Sequence, residues 1–133
     1  MKRVYLQIIA IALWGCVAVA RGQEVDVTRE LAYCKGQVDR TLAELSPIDY
    51  TMTPRNIGAD ESRWNLRSVK TPEEWCAGFF PGVLWMASSA GQGDEKERLM
   101  KEADRYSAEL EYLAYSPVYD HDLGFIMIGS YLK

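Results

Sequence analysis

The chain has one histidine, His121, and only three cysteines, Cys16, Cys34 and Cys76, in 133 residues. So few soft and imidazole ligands leave no Cys/His spacing of the kind that holds zinc, and neither a metal nor a cofactor is expected. Basic residues are in deficit, with 15 Lys and Arg against 19 Asp and Glu for a net charge of −4. That balance argues against a nucleic-acid backbone as partner, because phosphate recognition needs clustered cations. No stretch stands out with the alternation of a half-buried strand, and no internal repeat is visible. The length sets an upper bound of one small domain.

What is present begins with a processing signal. Met1-Lys2-Arg3 is a short basic region, residues 4–19 are apolar except for Gln7, and Ala18-Val19-Ala20 gives an A-x-A cleavage site. The pattern predicts a secretory signal peptide over residues 1–20 and a mature chain over 21–133. The apolar run is short and lacks a stop-transfer flank, so no stable membrane insertion is expected after cleavage. Export to the periplasm or the exterior follows. Leu13-Trp14-Gly15-Cys16 also resembles a bacterial lipobox, which leaves lipid anchoring through Cys16 as an alternative. Cleavage after Ala20 removes Lys2 and Arg3 and no acid, so the mature chain is more acidic still. Cys34 and Cys76 read as two independent buried thiols rather than a disulfide, since nothing in the sequence brings them together.

The mature chain reads as helices joined by loops. Leu31, Cys34, Val38, Leu42 and Leu45 are spaced by threes and fours, which predicts one amphipathic helix with Asp26 or Thr28 as its cap. Ser46-Pro47 stops it, and a long polar loop is expected as far as Thr71. Thr71-Pro72-Glu73-Glu74 has the cap, first-position proline and early acids of a helix start, but Gly78 and Pro81-Gly82 interrupt the run. A second helix is expected from about Pro81 to Ser89. Asp94 is the expected cap of a third, running to about Tyr115 on an apolar side of Leu99, Ala103, Tyr106, Leu110 and Leu113. A fourth is expected from Leu123 to Leu132.

Two segments hold the unusual residues. Trp75-Cys76-Ala77-Gly78-Phe79-Phe80-Pro81-Gly82-Val83-Leu84-Trp85 combines aromatics with glycines that permit close backbone approach. Sugar rings present apolar C–H faces, so aromatic walls of this kind suit saccharides. Core packing is the competing reading, and the stronger one for Phe80, Leu84 and Trp85; Trp75, beside a loop, is open to both. His121-Asp122-Leu123-Gly124-Phe125 places a carboxylate at a helix start among apolar neighbours, which favour the neutral acid. Asp122 is then either a helix cap or one of the carboxyl groups that glycoside chemistry uses. His121 is either a substrate donor or a structural residue. Arg55 is either a loop cation in solvent or the ligand of an anionic substrate.

In combination and in this order, the two segments resemble the unsaturated glucuronyl hydrolases of glycoside hydrolase family 88, with Pro54-Arg55 similar to that family's lead-in. The related unsaturated rhamnogalacturonyl hydrolases share part of the pattern. The resemblance runs from about Val25 to the last residue and covers the first third or so of a family member. It implies an all-α fold, the N-terminal portion of an (α/α)6 barrel. It also implies removal of an unsaturated uronic acid from the non-reducing end of lyase-generated oligosaccharides. In that chemistry water is added across a C4=C5 vinyl ether and the hemiketal then collapses. By resemblance Asp122 is one of two catalytic aspartates, Trp75 is an aromatic substrate contact and His121 neighbours the substrate. The second aspartate is expected beyond position 133, so this chain alone is expected to be inactive. Cys76-Ala77 stands where the family more usually has Thr-Ser, which removes two hydroxyls. A small secreted helical binding module without catalysis is the reading that makes no use of the resemblance.

Overall fold

The computed structural model describes residues 25–71, 75–115 and 122–131. The expected signal peptide, the Pro72–Glu74 segment of the expected helix start, Asp120, His121 and Leu132 lie outside the described residues. The chain divides by its contacts at Glu30 into a short N-terminal unit and a larger unit, Leu31–Lys133.

In the N-terminal unit, Asp26 caps the first helix, α1 (Val27–Glu44): its Oδ1 accepts from the Arg29 N–H at 3.0 Å. This satisfies one of the donors that a helix start leaves without an intrahelical partner. In the larger unit the same helix buries Val38 and Leu42, while Leu31 stays 45% exposed and Cys34 is exposed. The apolar stripe therefore meets the core only in its last turns. Cys34 and Cys76 are free thiols, as expected, but Cys34 is not buried: it sits where the stripe has not yet reached the core.

The expected long loop between Ser46 and Thr71 contains a hairpin. Strands β1 (Met52–Asn56) and β2 (Asn65–Ser68) pair antiparallel, with Met52 opposite Ser68, Thr53 opposite Arg67 and Pro54 opposite Leu66. The register shifts between Pro54 and Asn56, at Arg55. Only Thr53 is buried in these two strands, so the sequence carries no alternating apolar pattern to announce them. Val69, just after β2, anchors the hairpin: it is buried and its N–H donates to Thr51 O at 2.8 Å.

Three further helices complete the larger unit. These are α2 (Phe79–Ala90), α3 (Gly93–Ala108) and α4 (Asp122–Tyr131), with α2 packed against both of the others. One core cluster joins Val38 and Leu42 to Phe80, Leu84, Ala87, Leu99, Ala103 and Tyr106. A second gathers Val69, Ala77, Leu110, Leu113 and Ile126. Removing a side chain the size of Leu84 or Leu99 from water is worth about 1.5–3 kcal/mol, and both are essentially inaccessible.

Two helix boundaries differ from expectation. Asp94 is not the cap of α3; Gln92 holds that position, and Gly93, at φ 52°, makes the tight entry that only glycine accepts easily. Asp94 and Glu95 instead lie in the first turn, where they favour the helix dipole. The helix also stops at Ala108, and a 3-10 segment, Glu111–Tyr115, follows. The N–H groups of Leu110 and Leu113 reach back three residues, to Ser107 O and Leu110 O. The three-residue period places Leu110 and Leu113 on one side, toward the second core cluster.

The glycines of the aromatic segment serve helix contact. A Cβ on Gly78 would collide with Ile126 O, one on Gly82 would lie 2.5 Å from Gly129 O, and one on Gly129 would lie 2.7 Å from Gly78 O. Backbones of the α2 region and α4 thus touch directly, which fixes the first turn of α4 beside the Trp75 turn.

Candidate functional site

The α2–α4 contact sets the geometry around Trp75. This residue occupies the turn immediately before α2 and is 39% exposed. Its ring meets Phe79 edge-on at 5.5 Å and 90°, and Phe125 at 6.5 Å and 67°. From the hairpin, the Arg55 guanidinium carbon lies 5.2 Å from the Trp75 ring centroid. Arg55 Nη1 also donates to Cys76 Sγ at 2.8 Å. Three separate pieces of chain, β1, the pre-α2 turn and α4, therefore converge on one indole.

Asp122 opens α4 and is partly buried. Phe125 follows three residues later, a spacing that puts two side chains on neighbouring parts of one helix face. Phe125 is 52% exposed, and so is Phe79 in large part, at 43%. Leu123 turns instead to the second core cluster. Asp122 thus lies in the same first turn of α4 that brings Phe125 to the Trp75 ring. Asp122 and Trp75, singled out from the sequence, lie on segments that Phe125 links. His121 lies outside the described residues.

The other aromatic side chains of the region divide cleanly. Phe80 and Leu84 are core, and Trp85 is partly buried against it, donating from Nε1 to Ser107 Oγ at 3.2 Å. The Tyr112 hydroxyl donates to Val69 O, and that of Tyr131 donates to Ser107 O, so both lock the scaffold rather than line the Trp75 face. Tyr115 is 83% exposed. Arg55 proves to be a partly buried strand residue held against Trp75 and Cys76, not a loop cation in solvent.

One feature of this region has no local signature in the sequence. An open concavity of about 740 Å³ lies along the hairpin and is lined by Arg55, Asn56, Arg67, Ser68 and Thr71 among others. Arg67 joins Arg55 there only through strand pairing, which no local pattern in the sequence reveals. Among the described residues, no group of three or more His, Cys, Asp or Glu side chains has the arrangement to hold a metal ion. Among the same residues no helix is long and apolar enough to cross a membrane.

No protein-family model matches this sequence, and no curated protein matches it. Among solved structures the chain is similar to the crystal structure of an unsaturated glucuronyl hydrolase specific for heparin, at 27% identity and a TM-score of 0.55. The match covers 75% of this chain and 26% of that one, so the chain spans about a quarter of the length of the structure it matches. The predominantly helical architecture agrees with the expected portion of a helical barrel, and it relates the chain to a glycoside hydrolase.

Proposed function

We propose that the chain forms part of an exported hydrolase that removes unsaturated glucuronic acid from the non-reducing end of lyase-generated oligosaccharides. The observation that carries this reading is the convergence on Trp75. A part-exposed indole flanked by Phe79 and Phe125, with a carboxylate one helical turn from Phe125, offers an apolar platform beside an acid. Similarity to an unsaturated glucuronyl hydrolase supports the choice of substrate.

In this reading the sugar ring lies on Trp75, whose face takes the ring's C–H groups. Asp122 assists the addition of water across the C4=C5 double bond: a proton goes to C4, the hydroxyl to C5, and the resulting hemiketal opens with release of the remaining saccharide. His121 borders the same ring. A second carboxyl group serves as the principal acid/base and lies outside these 133 residues, in keeping with the quarter of the matched structure that the chain spans. Residues 1–20 act as the export signal, with lipid attachment at Cys16 as its variant form.

The test is a titration of the chain with an unsaturated uronyl disaccharide, followed by indole fluorescence and by the ultraviolet absorbance of the double bond. Saturable binding that Trp75→Ala removes, without turnover, is the expected result. Binding unaffected by Trp75→Ala would remove the platform from the account, and turnover by this chain would remove the need for a second carboxyl group elsewhere.

A further inference from the structure

Electrostatics on the hairpin run against those of the rest of the chain. The protein is acidic overall, yet the segment from β1 to the end of β2 and its flank carries Arg55, Arg63, Arg67 and Lys70 against Asp60 and Glu61. Three of these charges are already engaged locally, Arg55 among them through Cys76 Sγ and the Trp75 ring. Glu61 accepts from Asn65 Nδ2 at 2.8 Å and from the Gly58 N–H at 3.2 Å. Lys70 pairs with Glu109 at 2.7 Å and lies over the Tyr112 ring. Arg67 makes no ion pair among the described residues. It lines the same concavity as Arg55, together with the donor-bearing side chains of Asn56, Ser68 and Thr71.

Guanidinium groups present a planar fork of N–H donors that matches carboxylate and sulfate oxygens, and a concave wall lets several donors reach one anion. Arg55, at the register shift, belongs to both this wall and the aromatic face, since it lines the concavity and packs over Trp75. A group held by the arginines is therefore adjacent to a ring held by the indole.

We propose that the hairpin concavity bearing Arg55 and Arg67 is an oxyanion subsite, which holds a sulfate or carboxylate of the saccharide seated on Trp75. The saccharide half of this statement rests on the function proposed above; the oxyanion half rests on the hairpin alone. Anionic substituents then add to affinity through the hairpin rather than through the reacting carboxylate at Asp122, and binding weakens as salt rises.

The test uses the whole chain with three probes: a sulfated unsaturated uronyl disaccharide, its non-sulfated counterpart, and inorganic sulfate. Arg67→Gln is the informative variant because Arg67 is exposed and its loss should leave folding intact; Arg63→Gln, on the far part of the hairpin, is the control. Arg67→Gln is expected to weaken binding by about tenfold, the effect of losing one charge-assisted contact, while Arg63→Gln changes it less than twofold. Loss confined to the sulfated probe assigns the site to sulfate, and equal loss for both disaccharides assigns it to the uronate carboxylate. Unchanged affinity of Arg67→Gln for both would overturn the subsite. If neither disaccharide binds the wild-type chain, inorganic sulfate separates the two halves. Shifts of the Arg55 and Arg67 side-chain N–H resonances would keep the oxyanion site and discard the saccharide reading. No shift at either arginine would overturn the site as well.

Discussion

Arg55 lies over Trp75, its guanidinium carbon 5.2 Å from the ring centroid, while the same guanidinium donates to Cys76 Sγ. A strand residue thus holds the indole from one side as Phe79 and Phe125 bracket it from others. The arrangement sets a cation over the ring while Trp75 as a whole keeps 39% of its surface. Lysine would retain the charge but not the planar stack or the fork. Arg55→Lys is expected to lower saccharide affinity severalfold while changing stability by no more than about 1 kcal/mol, the scale of an exposed cation–π contact. Parallel ligand and denaturant titrations check both parts.

Close backbone contact between the α2 region and α4 makes a second expectation, which separates two glycines. Gly78→Ala forces a methyl group into Ile126 O, and neither backbone can yield cheaply. A loss of about 1–3 kcal/mol or more is expected, with α4 displaced from the Trp75 turn. Gly36, in the middle of α1, has nothing within 4 Å of the corresponding position. Gly36→Ala should therefore stabilise by about 0.5–1 kcal/mol through helix propensity alone. Denaturant midpoints of the two variants test the contrast.

Tyrosine burial supplies a pH dependence. Tyr106 is 1% exposed, and its hydroxyl has no hydrogen-bond partner among the described residues. Burial pushes its ionisation well above the ordinary tyrosine value, and nearby Tyr50, Glu102 and Asp49 push it further in the same direction. Because the folded value is raised, this contribution to stability is complete below about pH 10, where the unfolded tyrosine titrates. It is lost as pH rises from there toward the folded value. Tyr106→Phe should flatten the alkaline loss and leave neutral stability unchanged or slightly higher, since it removes an unsatisfied buried hydroxyl. Tyr50→Phe differs: it breaks the bond to Glu102 at 2.7 Å and the one from Arg105 at 2.8 Å, and should cost about 1 kcal/mol. Stability curves between neutral and strongly alkaline pH distinguish the two.

The helices were legible in the sequence because their burial is periodic. Val38 and Leu42, and then Leu99, Ala103 and Tyr106, are buried at the expected spacing. Leu110 and Leu113 kept their expected burial although the helix gives way to a 3-10 segment, because both periods return near the same side after three residues. The hairpin was not legible. Its strands bury a single side chain, and their pairing is a non-local fact. For the same reason no local pattern marks Arg67, and the sequence around Arg55 is compatible with either solvent or substrate. The aromatic segment was legible in outline: Phe80 and Leu84 fell to the core, and Trp75 remained open. Cys34 is exposed although it lies on the apolar stripe, because a helical stripe shows which face is apolar, not how far along the helix a neighbour extends.

Where an unsaturated uronyl disaccharide touches this chain decides the proposed function most directly. Amide and indole N–H resonances followed through a titration would locate it. Saturable shifts centred on Trp75, Phe125 and the first turn of α4 at Asp122, extending to Arg55, are the predicted result. Shifts confined to the apolar groove between α2 and α4 near Met86 and Ile128, or no saturable shift anywhere, would contradict it.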